Sequence, residues 1–211
     1  MLISLGELQK TYHLDIRGIL HVGAHTCEER GAYKRVGISD DDVLWVEGNM
    51  DLVCRVRREQ PEVKIFHALV GDTDYKEVDF IVTNNFQSSS ILELQEHKKE
   101  HPEVVETGRK RQFTMRLDTL ISHKLLPFVG KKHNFLNLDI QGAELLALRG
   151  LGRYLDDIDY VYTEVNTKHL YRGCALLAEL DSFLSGRGFV RREINMTEHG
   201  WGDAFYTRAA K

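Results

Sequence analysis

The 211-residue chain carries 28 Lys and Arg against 32 Asp and Glu, a net charge of -4, with 42% hydrophobic and 28% charged residues. Such a composition supports a buried core and excludes disordered, collagenous and coiled-coil chains. The negative balance supplies no global positive field for a phosphate backbone or an anionic membrane, so nucleic acid is not an expected partner. Cys27, Cys54 and Cys174 are odd in number, widely spaced and without a CxxC pair. That argues against a disulfide framework or a thiolate metal site and makes a reducing compartment the default. No segment approaches the roughly 20 apolar residues that span a bilayer, so no membrane span and a cytoplasmic location are expected.

Three prolines, no internal repeat and no Gly/Ser linker favour one domain over residues 1–211. Ser4 and Glu7 have capping-box spacing, which predicts a helix over 5–13. Apolar runs at 19–22 and 43–46 predict buried strands, each followed by a helix, at 28–36 before Gly37 and at 50–59 before Pro61. A third strand is expected over 63–70. Gly71 to Asp74 then form a turn, and the alternation of Val78, Phe80 and Val82 predicts a solvent-facing strand. Residues 90–100 read as a polar, exposed helix capped by Ser90, and Asp118 as the cap of a helix running to 126. Residues 71–117 thus form a hairpin and helix insertion. The strand and helix alternation resumes with strands at 134–139 and 160–165 and helices at 143–149 and 176–184. Two adjacent strands, at 189–194 and 204–207, close the chain. The expected fold is α/β: a mostly parallel, Rossmann-like sheet with helices on both faces and an antiparallel terminal pair, as in class I methyltransferases.

Gly23-Ala24-His25-Thr26-Cys27-Glu28 leaves the carboxyl end of the first strand, where an open α/β sheet binds its ligand. Only Gly23 of a G-x-G-x-G pattern is present, with His25 and Cys27 at the later glycine positions, so an ordinary strand-to-helix turn is the competing reading. Glu47 closes the second strand, where a carboxylate can accept both hydroxyl hydrogens of an adenosine ribose. Asp139-Ile140-Gln141-Gly142-Ala143-Glu144 ends the fourth strand unit and opens a helix. Glu164 ends the next strand, so Asp139 and Glu164 can converge in one cleft. Glu144 reads as a helix-start carboxylate. His21 reads as a hydrogen-bonded core residue, Ala68 and Leu69 as an adenine wall or plain core, and Trp201 and Tyr206 as a sugar-stacking wall or core packing.

The segments Ile19 to Glu29, Trp45 to Asn49, Asn85 to Ser90, Arg116 to Leu120, Phe135 to Glu144 and Gly202 to Tyr206 occur in the order seen in the FkbM family of S-adenosylmethionine-dependent methyltransferases, which the chain resembles over nearly its whole length. The Asp139 to Glu144 segment, preceded by Ser88-Ser89-Ser90, is the most specific part. The glycine loop is the least faithful, because Cys27 stands where the family commonly has glycine. The resemblance implies an O-methyltransferase acting on sugar or polyketide hydroxyls, and a carbohydrate is the expected acceptor. S-adenosylmethionine would lie along Gly23, Ala24, His25, Glu28, Glu47, Ala68, Leu69, Ser89 and Asp139.

In-line methyl transfer requires the acceptor oxygen about 3 Å from the methyl carbon, and a hydroxyl also needs help to lose its proton. Asp139 and Glu164 are the candidates as base or as ligands for Mg²⁺ or Mn²⁺, with His169 a second possible base. A ribose methyltransferase acting on RNA is one rival, but its lysine-aspartate-lysine-glutamate set fails here because no Lys lies between Asp139 and Glu164. A non-catalytic sugar- or partner-binding domain with the same fold is another, separable by calorimetry with S-adenosylmethionine. A nicotinamide dehydrogenase fits the Asp139 segment poorly. The oligomeric state is not encoded legibly.

Overall fold

Strands buried along their whole length sit at the centre of the molecule, and the positions of their helices follow from which residues alternate to each face. The computed structural model describes residues 1–209. The first half of the chain contains α1 (Leu5–Tyr12), β1 (Ile19–Val22), α2 (Arg30–Arg35), β2 (Val43–Glu47), α3 (Met50–Glu59) and β3 (Ile65–His67). It continues through β4 (Leu69–Val70), β5 (Glu77–Thr83), α4 (His97–Glu100), β6 (Glu106–Met115) and α5 (Leu117–Ser122). The remainder comprises β7 (Phe135–Leu138), α6 (Glu144–Leu151), β8 (Tyr160–Asn166), α7 (Leu177–Ser185), β9 (Phe189–Met196) and β10 (Trp201–Arg208). Among the described residues no helix is long and apolar enough to cross a membrane, and the three cysteines are unpaired.

The main sheet has the order β3-β2-β1-β7-β8-β10-β9. Its first five strands are parallel, and β10 runs antiparallel to both neighbours. Every residue of β1, β2 and β7 is buried, as a sheet covered on both faces requires. Leu20 and Val22 pack with Leu120, Leu148 and Leu180 of α5, α6 and α7, whereas Ile19 and Trp45 pack with Leu8, Tyr33 and Val53 of α1, α2 and α3. Two apolar layers therefore sandwich the sheet. Its parallel strands deliver their carboxyl ends to one edge, where such sheets place ligands. The expected Rossmann-like fold with a terminal antiparallel pair is the observed one.

Four local expectations are corrected. The strand expected over 63–70 breaks at Ala68, whose N–H bonds the Glu47 carbonyl. Beyond it, β4 leaves the main sheet to pair with Thr114 and Met115 of β6, in a second sheet ordered β4-β6-β5. The strand expected to face solvent, β5, is buried at Phe80, Ile81, Val82 and Thr83, because Phe80 and Val82 pack on Leu69. The helix expected over 90–100 survives only as α4, since Ser90 exchanges backbone bonds of 2.8 and 3.1 Å with Ile81, and Leu94 bridges Tyr171. These long-range bonds outweigh a weak local helix propensity. Asp118 does not cap α5; Arg116 occupies the N-cap and donates two guanidinium bonds to the Asp118 carboxylate, and the helix ends at Ser122.

Candidate active site

Gly23 begins the loop after β1 at φ 93°, and a Cβ there would lie 1.7 Å from the Asp139 carbonyl oxygen. Only glycine lets the ends of β1 and β7 approach this closely. The Gly23 and Ala24 N–H groups both donate to the Val46 carbonyl, and Asp139 N–H donates to that of Val22. His25 and Cys27, at the two later glycine positions, nevertheless adopt φ 44° and 61°. The loop thus keeps the backbone shape of a glycine-rich turn without the glycines, at about 1–2 kcal/mol for each left-handed residue. Local bonds offset that cost. Cys27 N–H donates to the Ala24 carbonyl at 2.7 Å, and His25 N–H to Glu47 Oε2 at 2.8 Å. Burial pushes the Cys27 thiol up to about 12, which leaves it a packing group and not a nucleophile.

Glu47 is 8% exposed. The sequence suggests a desolvated carboxylate that ribose hydroxyls would satisfy, but backbone amides already hold it: Asn49 N–H donates to Oε1 at 2.7 Å and His25 N–H to Oε2 at 2.8 Å. Each oxygen retains a lone pair for a further donor. Burial raises the Glu47 carboxyl above its ordinary range, and the Asn49 and His25 amides oppose that shift. Ala68 and Leu69 form the neighbouring wall with Gly48 and Phe80, while Ala24 is buried beneath the loop.

Across the cleft, Gln141 joins the two candidate carboxylates. Its Nε2 donates to Asp139 Oδ1 at 2.7 Å and to Glu164 Oε2 at 2.6 Å, and its Oε1 accepts from Tyr171 Oη at 2.6 Å. Gln141 holds φ 56° next to Gly142 at φ 95°. Glu144 stabilises this turn by accepting the Ile140 and Gly142 N–H groups, the structural role expected of it. Asp139 is open to the cavity, whereas Glu164 is buried. Burial, reinforced by the Asp139 and Glu144 charges, holds the Glu164 carboxyl well above the usual carboxylate range. Asp203 stands opposite Glu164 in the β8–β10 register and accepts from Tyr162 Oη.

Asp139 and Glu164 therefore do converge, but the donor between them is an amide. Among the described residues no group of three or more His, Cys, Asp or Glu is arranged to hold a metal ion. With Gln141 Nε2 lodged 2.7 and 2.6 Å from the two facing oxygens, where a bridging ion would sit, and no third such ligand arranged beside them among the described residues, the pair does not fit a Mg²⁺ or Mn²⁺ site. His169 is not brought to the site: it is exposed, does not line the cavity, and its Nδ1 lies 3.9 Å from Cys174 Sγ. Ser89 lines the cavity while its Oγ accepts Thr83 N–H, and Ser90 is no helix cap but donates to the Gln141 carbonyl. His21 is a core residue, with Nδ1 2.8 Å from Tyr33 Oη and its ring centroid 4.6 Å from that of Trp45 at a tilt of 31°; burial lowers its pKa to about 3. Trp201 lines the cavity, but Tyr206 is buried and donates to Asp181.

These groups surround a cavity of about 410 Å³ at the carboxyl edge of the sheet, within the usual range for small-molecule sites. Glu28, Glu29, Glu103, Asp139, Glu164 and Asp203 all line it. Sequence reasoning gave no role to Gln141, to Phe86 at the rim, or to His97 and His101, whose rings lie 5.0 Å apart along the far wall. The i,i+4 spacing of the two histidines was the available signal for that pair.

Residues 21–191 match the family profile described as the methyltransferase FkbM domain. No curated protein matches the chain. Among solved structures, magnesium protoporphyrin IX methyltransferase from Synechocystis PCC 6803, with bound S-adenosylmethionine, is similar at 11% identity and a TM-score of 0.51, over 98% of this chain and 77% of that one. A TehB-like S-adenosylmethionine-dependent methyltransferase from Corynebacterium glutamicum aligns at 10% identity and a TM-score of 0.48, over 99% and 89%.

Proposed function

The chain belongs to the FkbM methyltransferase family, and from that premise we propose that it transfers a methyl group from S-adenosylmethionine to a hydroxyl oxygen of a carbohydrate. The observation that carries the acceptor class is the charge of the cavity. Carboxylates from the β1 loop, β7, β8 and β10 face into it, and among the described lining residues there is no Lys or Arg. A phosphate-rich acceptor such as RNA would meet repulsion that no Lys or Arg offsets, whereas a neutral polyol finds acceptors for its many O–H groups.

S-adenosylmethionine, when bound, supplies a positively charged sulfonium whose methyl is open to in-line attack. The Gly23 to Glu28 loop and the Ala68–Leu69 wall would hold its two ends, with Glu47 accepting the ribose hydroxyls through its remaining lone pairs. The cavity volume and the closeness of Gly23 to Asp139 fit that placement. At the other end, Asp139 accepts the proton of the attacking hydroxyl. Gln141 fixes the rotamer of Asp139, and the burial that raises the Glu164 carboxyl disfavours a second negative charge beside it. Positioning supplies most of the rate, as expected for a displacement at an activated methyl.

The test is transfer of labelled methyl from S-adenosylmethionine to a panel of oligosaccharides and nucleotide sugars, run beside capped and structured RNA. Label in a saccharide, absent when its hydroxyls are acetylated before the reaction, is the expected result. Robust transfer to RNA with none to any saccharide overturns the acceptor assignment.

A further inference from the structure

Phe86 sits at the tip of a loop over residues 84–89 that leaves and rejoins a β-bridge between Ile81 and Ser90. It lines the cavity, is 43% exposed and holds φ 59°. A bulky aromatic residue rarely adopts that backbone conformation, and a large apolar side chain gains nothing from facing water. Both costs fall on one residue at the cavity rim, a combination that points to function.

The loop enforces the conformation through its own bonds. Phe86 N–H donates to the Thr83 carbonyl, and Ser89 N–H to that of Phe86. Asn85 Oδ1 accepts from Ser88 N–H and from Thr83 Oγ1, and Ser89 Oγ accepts Thr83 N–H. The two sides of the loop face different ends of the cavity. Its returning stem lies toward the reactive end, where the Ser88 carbonyl lies 3.3 Å from Tyr171 Oη and Ser90 Oγ donates to the Gln141 carbonyl. Its tip lies toward the cofactor loop, where Gln87 Nε2 donates to Glu28 Oε2 at 3.4 Å.

We infer that Phe86 is a cofactor-retaining residue, whose ring covers bound S-adenosylmethionine opposite the Gly23 to Glu28 loop and gains its burial only when the ligand is present. The ring then contributes to affinity by excluding water from an otherwise open mouth. The inference rests on S-adenosylmethionine lying along Gly23 and Glu47, so the Glu47→Ala variant serves as its control.

The experiment measures S-adenosylhomocysteine binding by calorimetry, and the melting temperature without ligand, for the full chain, two Phe86 variants and the Glu47→Ala control. Phe86→Asn, a residue that tolerates the left-handed region, is expected to bind about tenfold or more weakly while melting at the parent temperature or above. Phe86→Leu retains apolar bulk and is expected to stay within about threefold of the parent affinity. Unchanged affinity in Phe86→Asn overturns the inference. So does a fall of more than about 4 °C in the unliganded melting temperature, which makes the ring a structural anchor, or an equal loss of affinity in Phe86→Leu. If Glu47→Ala also binds normally, the cofactor placement itself fails; if Glu47→Ala weakens binding and Phe86→Asn does not, only the role of Phe86 is lost.

Discussion

Replacing Glu47 with alanine removes two things at once, and the structure gives each a separate magnitude. The proposed ribose contact is a pair of charge-assisted hydrogen bonds, whose loss costs about 2–4 kcal/mol, or roughly 30- to 1,000-fold in Kd. The same substitution strips the acceptor from His25 N–H and Asn49 N–H, now bonded at 2.8 and 2.7 Å. Water entering from the open cavity replaces part of that loss, so the fold should weaken by about 1–2 kcal/mol, at the low end of the cost of two orphaned donors. For a chain of this length that is a fall of roughly 2–8 °C in melting temperature. Titration calorimetry with S-adenosylhomocysteine reads the first effect, and scanning calorimetry of the free protein reads the second. Glu47→Gln refines the test, because its single amide oxygen can serve one of the two N–H groups but not both. A folded Glu47→Ala protein that binds with the parent Kd rejects the ribose assignment, and one with the parent melting temperature rejects the amide-holding role.

Asp139→Asn should lower the methyl-transfer rate by roughly a hundredfold while leaving S-adenosylhomocysteine affinity nearly intact, whereas Glu164→Gln, which stays neutral and can still accept the Gln141 Nε2 bond, should cost about threefold or less; full turnover in Asp139→Asn at saturating substrates would move catalysis to positioning alone. Chelator treatment should leave the parent rate unchanged; loss of activity restored by Mg²⁺ or Mn²⁺ would contradict the reading of the Gln141 bridge. Burial raises the Glu144 carboxyl to about 7, so the folded state holds its proton more tightly than the unfolded chain does. Its contribution to stability is therefore full at low pH and declines as pH rises toward neutrality. Glu144→Gln can still accept the Ile140 and Gly142 amides and should flatten that decline between pH 5 and pH 8 in denaturant melts, and an unchanged slope would assign it to another group. Cys27→Gly should keep the S-adenosylhomocysteine Kd within about twofold, because the backbone at Cys27 already has a glycine conformation; a larger change would give the thiol a direct role in binding.

Periodicity carried most of the fold. Strands at 19–22, 43–46 and 160–165 were legible because parallel strands covered on both faces are continuous apolar runs, and α3 ends before Pro61 as a helix must. The failures cluster between residues 63 and 126, where partners distant in sequence decide. Nothing local to Ala68 announces that the chain changes sheets there, and nothing in residues 90–96 reveals that Ile81 and Tyr171 claim their backbone. The strand-end carboxylates were visible because topology alone takes Asp139 and Glu164 to one edge. Their relation was not, since it depends on Gln141, an uncharged residue in a left-handed turn. His169 failed for the converse reason: nearness to Glu164 in sequence does not survive the change of direction after β8. The positive φ values at His25 and Cys27 were equally hidden, because a residue type states a preference for such angles and neighbours decide whether it is overridden.

The position of β10 between β8 and β9 also sets an order in time. Protein synthesis delivers residues 189–196 before residues 201–208, yet β9 reaches the sheet only through β10. A nascent chain ending at Met196 already has the strands that carry Gly23, Glu47, Asp139 and Glu164, but lacks Trp201 and Asp203 at the cavity wall. Its β9 has no neighbour to pair with and exposes an unsatisfied edge. The cleft is thus assembled from the β1 side toward the β10 side, and it closes only when the antiparallel strand slides in beside Glu164. Premature release before that step leaves a protein that presents the Gly23 to Glu28 loop but no finished pocket, with an open strand available for wrong pairings.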